Sequence, residues 1–236
     1  MERGASTVGA GHRQCLNCLL YTSSSVALAI QEVTREKKRL FLMSGPASSD
    51  LTGKACSPYG IHWTYDTYAL AHGTGGALVK QGGDSWFFIT ADYAFGHALE
   101  RDTGDAVKAA GGKVLGSVNA PLNTQDFSSF LLQAQASKAK VIGLANAGGD
   151  TINSIKQASE FGIVTGGQKL AGLLVFLSDI HSIGLKTAQG LTITSAWYWA
   201  VSYTHLMVMC SRPAKLAIGP PMPKAKVMMP ICSIDE

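Results

Sequence analysis

A chain of 236 residues with 46% hydrophobic and 15% charged side chains describes a globular polypeptide of one large or two small domains, and excludes a disordered one. No apolar run approaches the ~20 residues that a membrane-spanning helix needs. The net charge of +4 argues against a nucleic-acid surface, because residues 24–199 hold 14 Lys/Arg against 13 Asp/Glu and the ends carry the remaining +3.

Residues 1 to about 22 are Gly/Ser/Cys-rich and show no period. Cys15-Leu-Asn-Cys18 is the only close pair among five cysteines, a weak zinc or redox signal by itself. No charged-then-apolar signal layout opens the chain. Ser24-Ser25 can cap a helix carrying Val26, Ala29, Ile30 and Val33 on one face. The basic cluster Lys37-Lys38-Arg39 suits that helix's C-terminal end, where cations oppose the dipole. Arg39–Ser44 reads as a strand, residues 45–50 as a loop, and Ile61–Tyr65 as extended chain. Cys56 is either a buried thiol or half of a bridge.

A helix over Thr67–Lys80 stops at Gly82-Gly83, where glycine supplies a left-handed cap. Trp86–Thr90 is an apolar strand, followed by a helix burying Phe95, Leu99, Ala106 and Ala110 and stopped by Gly111-Gly112. Lys113–Val118 is a strand. Phe127, Phe130, Leu131 and Ala134 lie at helical spacing, with Thr124 or Asp126 as N-cap. Val141–Ala145 is a strand, and Asp150 caps a helix bearing Ile152, Ile155 and Ala158 that finishes at Phe161-Gly162. Leu170–Phe176 and Leu191–Thr194 are the last strands. Residues 200–236, rich in Met and Pro, show no period, and prolines so dense forbid a long helix or central strand.

The order is βαβαβ, so the fold class is α/β, a doubly wound parallel sheet. Strands as apolar as 86–90 and 141–145 are covered on both faces. Ligands gather at the carboxyl ends of such strands, which here carry Asp92, Tyr93 and Asn146. Catalytic signatures are missing: no G-x-S-x-G, H-E-x-x-H or Walker loop occurs, and the six histidines form no ligand pair. Gly73–Leu78 only begins like a dinucleotide fingerprint and falls inside a helix. An enzyme is therefore not expected, nor a metal or cofactor. Asp92 as a general base is the enzymatic alternative.

Gly45-Pro-Ala-Ser-Ser-Asp-Leu-Thr52, Thr90-Ala-Asp-Tyr-Ala-Phe-Gly96 and Pro121-Leu-Asn-Thr-Gln-Asp-Phe-Ser-Ser129 together resemble the type I periplasmic solute-binding proteins, most of all the leucine/isoleucine/valine-binding group. The resemblance covers residues 24–199. It implies two α/β lobes joined by crossover strands, one lobe incomplete: an irregular non-family end at 1–23, partial lobe one at 24–66, lobe two at 67–195, and the start of a return crossover with an irregular tail at 196–236. Thr64–Thr67 is then a crossover and Trp197-Tyr198-Trp199 the return. The ends do not resemble family sequence, and are expected to be assembly or cloning artefacts flanking a genuine fragment.

The resemblance further implies a ligand carboxylate held by Ser24, Ala47, Ser48 and Ser49, hydroxyls and N–H groups that favour an anion. Helix capping is the competing role for Ser24. Tyr93 or Phe95 supplies an aromatic contact, Phe95 having core packing as its alternative. Asn146 and Ala147 match a second strand-end contact. Asp179 is the nearest candidate for a ligand ammonium group, with helix capping as its other reading. The implied function is the substrate-binding component of an ABC importer, taking a branched-chain amino acid or small amide by hinge closure. Its partners would be the ABC permease membrane subunits, its location periplasmic or extracytoplasmic, and its state monomeric. A ligand-sensing regulatory module on the same fold is the other alternative. Micromolar binding needs about −8 kcal/mol and millimolar about −4. Losing two charge-assisted contacts at roughly 1.5–3 kcal/mol each moves a site across that gap, so this chain is expected to bind poorly.

Overall fold

The computed structural model describes residues 23–194. The stretches containing Cys15, Cys18, Trp197–Trp199 and the Met/Pro-rich tail lie outside the described residues. In chain order the elements are α1 (Ser24–Glu36), β1 (Phe41–Met43), a 3-10 turn (Ser49–Leu51), β2 (Gly60–His62), α2 (Thr67–Lys80), β3 (Ser85–Ala91) and α3 (Ala94–Ala109). There follow β4 (Lys113–Ala120), α4 (Ser128–Ala136), β5 (Val141–Ala145), α5 (Gly149–Glu160), β6 (Lys169–Gly172), α6 (Leu177–Ile183) and β7 (Leu191–Ile193).

Two parallel sheets form. β1 and β2 make a small one, with Leu42 opposite Ile61. The five-stranded sheet has the order β4-β3-β5-β6-β7, all parallel. The chain lays down β3, moves to β4 on one side, and returns to place β5 on the other. Helices consequently cover both faces, as right-handed crossovers require. One face packs Trp86, Phe88 and Val141 against Leu70 and Leu78 of α2 and Leu99 and Val107 of α3. The other packs Ile89, Ile142 and Leu144 against Leu131 of α4 and Ile155 and Ala158 of α5. β5 is buried along its whole length, as its unbroken apolar sequence demands.

Several local expectations change. Ser23, not Ser24 or Ser25, caps α1, its hydroxyl accepting from the Val26 N–H. The buried face of α1 is Ser24, Ala27 and Gln31, while Val26 and Val33 are 45% and 54% exposed. Beneath α1 lies a small apolar cluster of Phe41, Met43 and Leu51, against which Ala27, Leu28 and Ile30 pack, while the Gln31 amide beside them donates to the carbonyls of Leu51 and Ala55. Ala110 is the exposed C-cap of α3, and Val107 fills the apolar position instead. α4 starts at Ser128, whose N–H donates to Asp126; the Thr124 hydroxyl turns back to Pro121. α5 starts from Gly148, at φ 60°, and Asp150 lies inside the helix. β1 and β2 are shorter than expected, and β6 ends at Gly172 because residues 173–176 turn toward α6. Cys56 is disulfide-bonded, which removes the thiol alternative.

Candidate functional site

The strand order reverses between β3 and β5, and the carboxyl ends at such a switch point are where open parallel sheets take ligands. Thr90 and Ala145 stand opposite each other there, so the loops 92–93 and 146–148 leave side by side. Ring centroids of Tyr93 and Phe95 are 5.7 Å apart, with Phe95 buried and Tyr93 half-buried. Burial, and then the nearby charge of Asp150, push the Tyr93 phenol up to about 12. Asp150 itself is 7% exposed and accepts from the Asn123 N–H at 3.1 Å, pinning the loop after β4 to the same rim.

Asn146 is buried, and its side chain turns inward: it accepts from the Thr151 hydroxyl at 2.8 Å and donates to the Ser154 hydroxyl at 3.3 Å. Ala147 is half-buried and packs against the same apolar cluster as Tyr93 and Phe95.

The loop after β1 approaches this rim from the smaller sheet. Ala47 belongs to the cluster that holds Phe95, Leu173 and Leu174, with Tyr65, Tyr93 and Ala147 packed against it. Ser24 is buried, and its Oγ accepts from the N–H groups of Ala47 and Ser48 at 3.3 and 3.2 Å, so it shapes the loop directly. The buried Ser48 caps the 3-10 turn through the Asp50 N–H. Ser49 points toward α3, donating to Asp102 at 2.6 Å.

Asp179 reaches back to accept from the Phe176 N–H at 2.9 Å, the geometry of a helix cap. It also faces Tyr65, whose phenol is raised above its ordinary value by burial and then by Asp179. Tyr65 and Phe176 have ring centroids 5.8 Å apart. Tyr65, Leu174 and Phe176 thus join the rim although nothing in the sequence marked them. The one available signal was their placement, immediately before α2 and just after β6.

The structure therefore gathers Ala47, Tyr93 and Ala147 in one apolar cluster at the strand ends, with Phe95 in its core-packing role beneath them and Ser24 and Ser48 supporting the loop. It turns Asn146 and Ser49 to partners elsewhere. Asp92 is exposed and pairs with His97 at 3.0 Å. Among the described residues no group of three or more His, Cys, Asp or Glu could hold a metal, and no helix is long and apolar enough to cross a membrane. A cavity of about 220 Å³ between Ile155, Val164, Leu170, Lys186 and Leu191 lies at the opposite, amino end of the strands.

The Tyr93 environment predicts a pH response. The folded chain holds this proton more tightly than an unfolded chain whose tyrosines titrate near 10. Its contribution to stability is thus fully present below pH 10 and is lost as pH rises toward about 12. Ultraviolet absorbance should show one phenol ionising last, and Tyr93→Phe should remove that step along with part of the alkaline loss of stability.

A model of the family described as periplasmic binding protein matches residues 18–209. The Leu/Ile/Val-binding protein homolog 6 of Brucella melitensis is 24% identical over 180 residues, 75% of this chain and 45% of its own length. Among solved structures, a periplasmic binding protein from Burkholderia mallei is 56% identical, with a TM-score of 0.74 over 79% of this chain and 50% of that one. A branched chain amino acid ABC transporter periplasmic ligand-binding protein from Burkholderia xenovorans is 34% identical, with a TM-score of 0.68 over 78% of this chain and 50% of that one. A solute binding protein of an ABC transporter from R. palustris, in complex with 4-hydroxybenzoate, is 27% identical, with a TM-score of 0.61 over 70% of this chain and 45% of that one. The chain spans about half the length of these relatives.

Proposed function

We propose that this chain, which belongs to the periplasmic binding protein family, is a ligand-holding component of an ABC importer that works outside the cytoplasm and hands its cargo to membrane permease subunits. The cargo is an amino acid of the branched-chain type or a small amide. Residues 24–66 contribute to one lobe and 67–195 to the other, and closure bends the crossover at Thr64–Thr67. The observation that carries this reading is the switch point between β3 and β5, where Tyr93 and Ala147 of the large sheet meet Ala47 of the small one. Membership of a family of binding proteins supports capture without chemistry.

A second reading has its own support. Three rings stand at the rim, those of Tyr65, Tyr93 and Phe176, with Phe95 packed in the core beneath Tyr93, and an aromatic carboxylate offers a flat face to stack on them. A similar protein holds 4-hydroxybenzoate.

Titration of the full chain with L-leucine, L-glutamine and 4-hydroxybenzoate, followed by amide NMR shifts, separates the two. NMR detects millimolar affinity, which suits a site of about −4 kcal/mol. Shifts at Ala47, Tyr93 and Ala147 with leucine or glutamine support the first reading, and the same shifts with 4-hydroxybenzoate alone support the second. Silence at all three positions with every compound refutes the site.

A further inference from the structure

Beyond the apolar rim, the two sheets are tied together by a closed polar circuit. Asp102 on α3 accepts through Oδ2 from the Ser49 and Thr67 hydroxyls, each at 2.6 Å. Its Oδ1 accepts from Arg101 Nε and Nη2 at 3.0 and 2.9 Å. Arg101 Nη2 also donates to Ser49 Oγ at 3.0 Å and meets Asp50 Oδ1 at 3.1 Å. Thr67 Oγ1 in turn accepts from the Ser49 N–H at 2.9 Å, and the Thr67 N–H donates to the Ala47 carbonyl at 2.7 Å. The hydroxyls of Ser49 and Thr67 thus each donate once and accept as well. The side chains of Asp102 and Asp50 are 9% and 13% exposed, whereas Arg101 is 43% exposed. Burial works against the Arg101 charge, but the bonds and fields of Asp102 and Asp50 outweigh it and hold its pKa above the ordinary value.

We propose that this circuit is a hinge latch, in which Asp102 is the positioning residue for the 47–50 loop. The loop follows a strand of the small sheet and carries three candidate ligand residues, while Asp102 belongs to α3, whose N-cap is Tyr93. The angle between the two units, and with it the gap between them, is set where these groups meet. A carboxylate suits the task because one group can accept two hydroxyls and a guanidinium together. Arg101, half open to solvent, is the side from which the latch loosens first, and salt weakens that side most. The hinge role rests on the two-lobed reading above, whereas the contacts do not: failure of any ligand to bind leaves the circuit intact, and a failed latch does not refute the ligand site.

Amide hydrogen exchange on the full chain tests it, comparing the native protein with Asp102→Ala, Asp102→Asn and Arg101→Ala. In Asp102→Ala the Ser49 and Thr67 amides should exchange faster, on the order of tenfold to a hundredfold, while Ile142 and Leu144 keep their native rates. Asp102→Asn, which retains an acceptor but no charge, should give a smaller acceleration at the same two amides, and Arg101→Ala one smaller than Asp102→Ala. Unchanged rates at Ser49 and Thr67 in Asp102→Ala would overturn the latch. So would a uniform acceleration that includes Ile142 and Leu144 in both Asp102 variants, since that reports general loosening.

Discussion

Truncating Trp86 to alanine lowers the unfolding free energy by about 3–5 kcal/mol. The ring is fully buried in β3, lies 5.7 Å from that of Phe88, and donates from Nε1 to the Gly83 carbonyl at 2.8 Å. Removing it opens a cavity between the sheet and the α2–α3 layer and strands that carbonyl. Against a typical total of about 5–15 kcal/mol, the loss brings a domain close to its threshold. Urea denaturation should show a lower midpoint with little change in slope. Trp86→Phe separates the two components: it keeps most of the apolar volume and loses the donor, so it should cost only about 1–3 kcal/mol. Equal midpoints for the two variants would mean that packing against Trp86 contributes little.

Gly96→Ala is the second large effect. A Cβ at this position would stand 2.0 Å from the Ala91 carbonyl oxygen and 2.9 Å from its carbon. Both are backbone atoms at the end of β3, so no side chain can swing aside. The first turn of α3 has to lift off the strand, at about 3 kcal/mol or more, the upper end of overpacking costs. Tyr93 sits in the linking turn, so lifting it should also return its phenol from about 12 toward the ordinary 10. Gly104→Ala, in the same helix, is the control. Its Cβ would meet only Val114 at 3.6 Å, an ordinary contact, and alanine there should be neutral or stabilising by up to about 1 kcal/mol. A Gly96→Ala midpoint matching that of Gly104→Ala would show that the turn is softer than its geometry.

The parts legible in the sequence are those that local chemistry dictates. β5 matches Val141–Ala145 because an apolar run of this kind has no solvent face to choose. α2 matches Thr67–Lys80 because Asp66 caps its start and Gly82, at φ 88°, follows its end. Periodicity identified which residues of α1 share a face but not which way that face turns. The answer depends on distant partners: the Phe41, Met43 and Leu51 side chains that receive Ala27, and the Leu51 and Ala55 carbonyls, 20 and 24 residues away from Gln31. Asp150 looked like an N-cap from its place ahead of an apolar pattern, yet Gly148 starts the helix and Asp150 turns to Asn123.

At the candidate site the same division holds. Strand ends were readable, so the sequence places Asp92, Tyr93 and Asn146 there, and the family resemblance adds Ala147. The direction of a side chain was not, which is why the ligand candidates include Asn146 and Ser49, whose side chains turn to Thr151, Ser154 and Asp102. Asp102 was invisible to pattern reading because its partners Thr67 and Ser49 lie 35 and 53 positions before it. Tyr65 and Phe176 come together only when the link between the sheets and the β6–α6 turn are both in place.

The strand order has a consequence for biogenesis. β3 is the first strand of the large sheet to leave the ribosome, yet it ends between β4 and β5. Trp86, Phe88 and Ile89 thus wait through more than fifty further residues of translation, until Val141–Ala145 emerges, before their second neighbour exists. A parallel sheet in which an inner strand must wait folds slowly and keeps an adhesive segment uncovered meanwhile. Residues 86–89 are accordingly the stretch of the nascent chain that stays exposed longest relative to its final burial.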